Sequence, residues 1–371
     1  MMTRERLDYI DAMRGFAILG VVLTHAASKA GLSGPLGILM AQGGYGVQLF
    51  FVVSAFTIVM TIYRSRSREA RPIRNFYIRR LMRIVPVYWL GIVLYTAVYG
   101  VFASHGWRES PGSGLDYIAN ALLMNVFIPN AMSSVVPGGW SISVEVMFYL
   151  TVPLWLVYVK DVRSAFIFTI AAAVIGQVLT VGLSQTFEVA PPTLAKEYWY
   201  RGYLSQLSCF GLGMVLYFMT RHRSSALRWH SALWLAGGLV VLAATLMLKM
   251  NFPGLTIFHI LYAVGFTLIG LALHIHPWKT LVNAGTVWLG RISYSLYLIH
   301  FLALDLLNTL VQDIAPEGMI RFLIVAGLGC LVSFPLAYLS SITLEESTKK
   351  AAKSLIARMG PQVSEGRKQP A

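Results

Sequence analysis

Residues 11–28 read DAMRGFAILGVVLTHAAS, an apolar stretch that carries Arg14 near one end and His25 near the other. The stretch is long and apolar enough to form a membrane-spanning helix. Eleven residues at 100° each amount to three turns plus about 20°, so both side chains share one helix face, roughly 16 Å apart along the axis. Because ionisable groups inside a membrane helix are costly and mark functional sites, the pair predicts a polar track through an apolar helix.

The composition of the whole chain is that of a membrane protein. Of the 371 residues, 56% are hydrophobic and 12% are charged, and the mean hydropathy is +0.64. A soluble domain of this size would carry about 25% charged residues. We therefore expect a polytopic membrane protein whose single body of helices uses nearly the whole chain. The net charge of +14 then reflects membrane topology, and no nucleic-acid partner is expected.

Neither the cysteines nor the N-terminal apolar run indicates another class of protein. The two cysteines, Cys209 and Cys330, each lie in an apolar run without a second ligand-type residue at metal spacing. They predict neither a disulfide framework nor a metal site. The first apolar run leads to no persuasive cleavage site, so we interpret it as an uncleaved first span rather than a signal peptide.

Ten apolar segments have spanning length, which predicts an all-α protein with ten transmembrane helices. An eleventh candidate, 115–128, has only 14 residues and is followed by Pro129. We interpret it as an interfacial or re-entrant helix within a long external loop, 104–143. The ten predicted spans are 12–28, 44–63, 84–103, 144–160, 163–183, 202–219, 231–249, 255–274, 288–310 and 319–341.

The basic residues predict how these helices are oriented. With a cytoplasmic N-terminus, 24 of the 30 lysines and arginines fall in cytoplasmic segments, as the positive-inside rule requires. Both termini are then cytoplasmic. We expect a membrane-embedded unit over 1–345 and a basic cytoplasmic tail over 346–371, the last dozen residues of which are typical of disorder.

The arginines that follow the second span have two interpretations. Those from Arg64 to Arg74 are scattered among serines and a proline, which favours a topology-setting loop that touches anionic lipid. Arg79, Arg80 and Arg83 lie at the mouth of the third span, and the last two are one turn apart on a single face. Facing inward, they would form a fork suited to phosphate groups. Spacing alone leaves both interpretations open.

Glu145 lies two or three residues into the fourth predicted span. The ordinary structural explanation is a carboxylate in an N-terminal turn that Ser141 or Ser143 caps. The functional alternative is that Glu145 meets His25, which we expect at a similar depth below the outer surface. A histidine beside a carboxylate is the arrangement of a general base and its orienting partner. His300, within the ninth predicted span, would face the same polar interior.

Together these segments resemble acyltransferase family 3, the bacterial membrane O-acyltransferases that modify surface polysaccharides, nodulation factors and related acceptors. Any one of the matching segments is a weak signal, but five in the family's order are highly specific. They are LDYIDAMRGFA (7–17), GVQLFFVVSAF (46–56), FYIRRLMRIVPVYWL (76–90), GGWSISVEVMFYL (138–150) and LGRISYSLYLIH (289–300).

The resemblance implies a role for each of the polar residues singled out above. His25 matches the proposed catalytic base and Arg14 its paired arginine. Arg80 and Arg83 match the R-x-x-R motif, and Glu145 matches the essential acidic residue. The resemblance also implies ten helices and an acyl-CoA donor, usually acetyl-CoA, with no bound cofactor.

Four further residues complete the candidate site. Arg79 joins the expected acyl-CoA site, while Asp11, Ser143 and His300 are candidate supporting residues. The chain also departs from the family pattern. Gln48 stands where the family often has Asp, Ala55 stands where it often has Gly, and residues 345–347 (EES) lack the proline usual after the family's acidic residue.

The predicted function is that of an integral O-acyltransferase of the bacterial inner membrane. It would move an acyl group from cytoplasmic acyl-CoA to a hydroxyl of a surface or lipid-linked carbohydrate at the outer face. Its partners would be acyl-CoA, a carbohydrate or glycolipid acceptor and membrane lipids. Two other classes compete: a carrier of a lipid-linked glycan or solute whose path the buried Arg and His line, and an assembly subunit of a polysaccharide export complex.

Overall fold

The described part of the chain is built from helices. The computed structural model describes residues 7–100, 113–186, 192–221 and 230–360, and within these ranges it contains no strand, so the all-α prediction is confirmed. The helices are α1 (Asp8–Lys29), α2 (Gly34–Ala41), α3 (Gly46–Arg66), α4 (Pro72–Tyr99), α5 (Gly114–Ala121), α6 (Gly139–Tyr158), α7 (Val162–Thr186), α8 (Pro192–Arg201), α9 (Tyr203–Arg221), α10 (Ser231–Asn251), α11 (Phe258–Ile275), α12 (Ala284–Val311), α13 (Met319–Ser340) and α14 (Glu346–Arg358).

In the described residues, ten helical segments are long and apolar enough to cross a membrane, which confirms the predicted number. The stretch 115–128 is not one of them. It forms the eight-residue α5 and a short 3₁₀ turn, Asn125–Phe127, and neither is long enough to span a bilayer. The orientation of the termini stays a prediction. Residues 101–112 of the predicted external loop and the tail residues 361–371 lie outside the described residues.

Two helical segments extend more than ten residues beyond the predicted spans. α4 begins at Pro72, twelve residues before the predicted start at 84, because arginine is a good helix former and proline is favoured in a first helical turn. Arg80 and Arg83 therefore lie well inside α4 and not at its mouth. At the other end of the chain, α13 continues through a π-helical turn, Ser341–Glu345, into α14. Residues 346–358 of the predicted tail are thus helical, and Ala352 and Ile356 are buried.

Glycines allow α1 and α12 to pack closely. A β-carbon added at Gly290 would overlap the carbonyl oxygen of Asp11, and one added at Gly15 would overlap the carbonyl oxygen of Thr286. An ion pair supports the same crossing, since Arg291 Nε lies 3.5 Å from Asp11 Oδ2. Asp11, a candidate supporting residue, thus acts at the contact between two helices.

The opposite side of α1 meets the start of α3 equally closely. A β-carbon added at Gly43 would overlap the backbone of Gly20, and one added at Gly46 would overlap that of Ala17. The segment 34–66, which ends in α3, is 83% buried over its most apolar window, against 17% for α10. Hence α3 lies at the centre of the helix assembly, while α10 presents apolar side chains outward, as expected of a helix that faces lipid.

We expect the substitution Gly290→Ala to destabilise the protein, because the added methyl group forces α1 and α12 apart. Overpacking of this kind typically costs about 1–3 kcal/mol. The measurement is the thermal unfolding midpoint in detergent. Gly327→Ala in α13 is the matched control, because a β-carbon there meets nothing within 4 Å. Equal midpoints for the two variants would contradict the close crossing.

Candidate active site

Five helices converge on a cleft with about 610 Å³ of empty space, part of it open to solvent. α1 contributes Arg14, α3 contributes Ser54, α4 contributes Arg83, α6 contributes Glu145 and Tyr149, and α12 contributes three further lining residues. Three of the predicted site residues, from distant parts of the chain, therefore line one cleft.

The carboxylate of Glu145 lies at the centre of a polar network in the cleft. It accepts hydrogen bonds from the hydroxyl groups of Ser54 and Tyr149, the latter at 2.6 Å. Arg14 and Arg80 are among its charged neighbours. The guanidinium of Arg80 lies over the Tyr149 ring, 5.4 Å from the ring centroid. Glu145 is thus held by two hydroxyls and flanked by cations.

The positive charges of Arg14 and Arg83 are not neutralised by any contact in the described part of the cleft. Within the described residues, neither guanidinium donates a hydrogen bond or forms an ion pair within 4 Å. The charged neighbours of Arg14 include Arg83 and Arg80 as well as Asp11 and Glu145. Asp11 is already paired with a cation on α12. The cleft therefore has an excess of positive charge, and guanidinium groups in such a site favour phosphate and carboxylate ligands.

His25 lies apart from Glu145. Its ring is 4.2 Å from the Phe301 ring and 5.5 Å from the His300 ring, measured between centroids. Its charged neighbours are two cations, Lys29 and Arg201. Within the described residues, no hydrogen bond or ion pair joins His25 to a carboxylate. The expected meeting of His25 with Glu145 is therefore wrong.

The reason is that α6 begins inside the protein. It starts at Gly139, five residues before the predicted start at 144, and residues 139–144 are all buried. The first residue of α6 therefore does not mark the outer surface of the protein. Glu145 lies deeper than its position in the helix suggests, and it reaches the level of Arg14. Neither serine caps the helix, because its N-cap is Gly138 with a φ of 72° and the helix has no side-chain cap hydrogen bond.

Ser143, the candidate supporting residue on α6, holds this helix in place. Ser143 is fully buried and donates a hydrogen bond to Asn125 Oδ1. The amide of Asn125 donates in turn to the Met132 carbonyl at 2.7 Å. Ser143 thus fastens the buried start of α6 to the segment that covers it, which positions Glu145 without touching it.

Arg79 is engaged elsewhere than in the cleft. It forms an ion pair with Glu69 at 3.0 Å and donates a further hydrogen bond to Ser65 Oγ at 3.2 Å. Glu69 also accepts a hydrogen bond from Asn75 at 2.8 Å. Arg79 therefore joins the end of α3 to the start of α4, and the structure does not bring it together with the arginines of the cleft.

A row of rings on α12 leads from the cleft to His25. Tyr297 lines the cleft, and its hydroxyl lies 2.8 Å from Ser141 Oγ. The Tyr297 ring is 5.7 Å from that of His300, which is the neighbour of His25. Tyr294, Tyr297 and His300 are spaced three residues apart and so lie along one side of the helix. His300 thus stands between the two parts of the site.

Some polar residues of the site region are absent from the predicted set. Glu345 is 1% exposed and accepts a hydrogen bond from Ser295 at 2.6 Å, inside the π-helical turn that follows α13. Its only signal in the sequence is a departure from the family pattern. Ser54 and Tyr149, the hydrogen-bond donors to Glu145, lie in segments that match the family, but nothing in their spacing indicates that they meet.

Gln48 and Ala55, the two residues of α3 that depart from the family pattern, both contact α9. The buried side chain of Gln48 donates a hydrogen bond to that of Gln206, at 3.0 Å. Ala55 packs against Gly213 on α9, where an added β-carbon would lie 2.7 Å from that of Ala55. Both residues therefore belong to the contact between α3 and α9 and not to the cleft lining.

The fold defines a multi-pass membrane protein with an arginine-lined cleft between its helices. The family model described as an acyltransferase domain, that of acyltransferase family 3, matches residues 7–341. The chain belongs to this family of acyltransferases, as its five motifs predict. No solved structure matches the chain.

Similar proteins carry related names. The chain is 25% identical to the peptidoglycan O-acetyltransferase OatA of Listeria monocytogenes over 94% of its own length, but it spans only 56% of that protein. It is 25% identical to the acyltransferase MdmB of Streptomyces mycarofaciens, covering 81% of this chain and 79% of the relative. It is 26% identical to Nodulation protein 10 of Rhizobium leguminosarum, covering 94% and 95%.

The ion pair between Glu69 and Arg79 predicts a dependence of stability on pH. Partial burial acts to raise the pKa of Glu69, but hydrogen bonds from Arg79 and Asn75 outweigh it, so the pKa is lowered on folding. A lowered pKa stabilises the fold above the unfolded value, about 4.3 for glutamate, and this stabilisation is lost as the pH falls through the folded value. We expect the unfolding midpoint of the wild type to exceed that of Glu69→Gln near neutral pH and to converge with it in acid. A difference that does not change with pH would disprove the pairing.

Proposed function

We propose that this chain transfers an acyl group, acetyl in the simplest case, from cytoplasmic acyl-CoA to a carbohydrate hydroxyl at the outer face of the bacterial inner membrane. The observation that carries the proposal is that one cleft holds two guanidinium groups, those of Arg14 and Arg83, without a hydrogen-bond or ion-pair partner in the described part of the chain. Coenzyme A is a polyanion, and guanidinium groups bind phosphate through paired hydrogen bonds. The name of the Listeria relative, a peptidoglycan O-acetyltransferase, supports a carbohydrate acceptor.

The donor would extend from the cleft toward His25 along α1. In the orientation that the basic residues predict, the Arg14 end of this helix faces the cytoplasm. Arg14 and His25 are separated by eleven residues, or roughly 16 Å along the helix axis, which is similar to the reach of an extended pantetheine arm. The rings of Tyr297 and His300 border the same interval. Phosphates held at Arg14 and Arg83 would then place the thioester beside His25.

His25 would serve as the general base of the transfer. It takes the proton of the acceptor hydroxyl while the oxygen attacks the thioester carbonyl carbon. The tetrahedral anion then collapses, the carbon–sulfur bond breaks, and the leaving thiolate recovers the proton from His25. The products are the O-acyl ester and free CoA. His25 is only partly buried, as a base that meets an incoming acceptor must be.

The charges around His25 suit the anion formed in this reaction. Its neighbours Lys29 and Arg201 are both cations, and fixed positive charge beside a developing oxyanion stabilises the transition state. Asp305 holds Lys29 in place through an ion pair and accepts a hydrogen bond from Tyr99 at 2.6 Å. In this proposal Glu145 has a different task. It lies among the arginines of the cleft, so it would offset their mutual repulsion and keep them in position for the donor phosphates.

We expect the substitution Arg83→Gln to weaken acetyl-CoA binding, because it removes a charged donor from the cleft. Hydrogen bonds to charged groups are worth about 1.5–3 kcal/mol, which corresponds to roughly a tenfold to hundredfold rise in Kd. The measurement is the acetyl-CoA dependence of the unfolding midpoint of the purified protein. Arg79→Gln is the matched control and should leave Kd within about twofold, since Arg79 is bound to Glu69. Equal losses in the two variants would contradict the proposed phosphate site, and a carrier of glycans would give no response to acetyl-CoA.

We expect the substitution His25→Ala to abolish acyl transfer while leaving acetyl-CoA binding close to that of the wild type. Loss of a general base typically lowers the rate by about 10²–10⁴-fold. The measurement is mass spectrometry of surface glycans from cells that carry the wild-type protein, the variant or neither. The wild type alone should show the added acyl mass, which also identifies the acyl group and the acceptor. An unchanged acyl mass in the variant would exclude His25 as the base.

A further inference from the structure

We infer that His300 is the positioning partner of His25, with its buried Nε2 accepting a hydrogen bond from the His25 ring. This inference rests on the proposed role of His25 as the base. It assigns to a neutral imidazole the orienting task that the sequence suggests for Glu145, whose carboxylate is held in the cleft by Ser54 and Tyr149.

The surroundings of His300 define which of its nitrogens carries a hydrogen. The residue is completely buried, and Nδ1 lies 3.1 Å from the carbonyl oxygen of Leu296. A carbonyl oxygen can only accept a hydrogen bond, so Nδ1 is the protonated nitrogen. No carboxylate contacts the ring within the described residues, and a buried charge without a partner is strongly disfavoured. His300 is therefore neutral, with its lone pair on Nε2.

That lone pair has no partner in the described part of the chain. His300 Nε2 is fully buried and accepts no hydrogen bond there. An unsatisfied buried polar atom costs about 1–3 kcal/mol and is uncommon in native proteins. The neighbouring ring that carries a nitrogen donor is His25, at 5.5 Å between centroids with the planes inclined by 42°. The proposed hydrogen bond requires the His25 ring to rotate about its own side-chain bonds so that an N–H group faces this acceptor.

The arrangement explains how His25 works without a carboxylate. A hydrogen bond from one His25 nitrogen to His300 leaves the other nitrogen unprotonated and directed at the acceptor hydroxyl, as an orienting carboxylate does in other base pairs. When His25 takes the proton, both of its nitrogens become donors, and one remains satisfied by His300. Phe301 packs 4.2 Å from both rings and limits their movement. His300 is thus a positioning residue and does not itself exchange protons with substrate.

The test compares variants that differ in the acceptor atom. His300→Phe keeps a ring but has no acceptor, while His300→Gln places an amide oxygen near the position of Nε2. The assay uses membrane vesicles and radiolabelled acetyl-CoA, and it counts the label that mild alkali releases from the membrane fraction. We expect kcat to fall at least about tenfold in the Phe variant with KM for acetyl-CoA unchanged, and Gln to restore part of it. His259→Phe is the matched control, since His259 is equally buried but lies against Ser205, and it should keep wild-type kcat.

Each outcome bears on a separate claim. A wild-type protein that transfers no label would overturn the proposed function itself. A His25→Ala protein that still transfers label would overturn the role of His25 as the base, on which this inference rests. An inactive His25→Ala protein beside a fully active His300→Phe protein would overturn only the role of His300. Equal losses for Phe and Gln would show that ring volume matters and not the acceptor, which also overturns it. If the Phe variant fails to fold, Gln is compared with Asn, whose shorter amide cannot reach the Nε2 position. Equal activities of these two would again reject the inference.

Discussion

The close contact between α1 and α12 is the constraint on which the rest of the site depends. Gly15 and Gly290 leave no room for side chains at this crossing, so each helix backbone lies directly against the other. α1 carries Arg14 and His25, and α12 carries the ring row that ends at His300. With a wider spacing between the helices, the two histidine rings would not meet. The glycines thus set the distance at which the polar faces of two apolar helices face each other.

The sequence predicts most of the fold and several of the residues that line the cleft. It does not predict which residues form hydrogen bonds or ion pairs with each other. Apolar length alone identifies the ten spans, and the motifs select Arg14, Arg83 and Glu145, which line one cleft. The hydrogen-bond and ion-pair partners are harder to predict because they depend on how deep within the protein each helix begins. α6 begins inside the protein, so Glu145 joins the arginines. Arg79 resembles its neighbours in sequence, yet Glu69, ten residues earlier, binds it.

The site separates two kinds of electrostatic environment. The cleft combines arginines with a carboxylate and uncharged hydroxyls, which suits a polyanionic ligand that must bind and leave. The region of His25 has cations that are each held by a carboxylate, Lys29 by Asp305 and Arg201 by Glu197. No carboxylate touches the histidine itself within the described residues. In the proposed reaction, these fixed cations would stabilise the negative charge that forms beside His25.

The crossing of α1 and α12 also has a consequence for how the protein is made. Asp11 and Gly290 meet in the finished structure, but about 280 residues of chain separate them, and roughly 15–60 s of synthesis pass between them at typical rates. During that interval the first helix enters the bilayer without the helices that surround its arginine and histidine in the finished structure, a costly state for ionisable groups in lipid. The first helix can therefore reach its final packing only after the ninth span has been synthesised. The helix that is made first is among the last to reach its final surroundings.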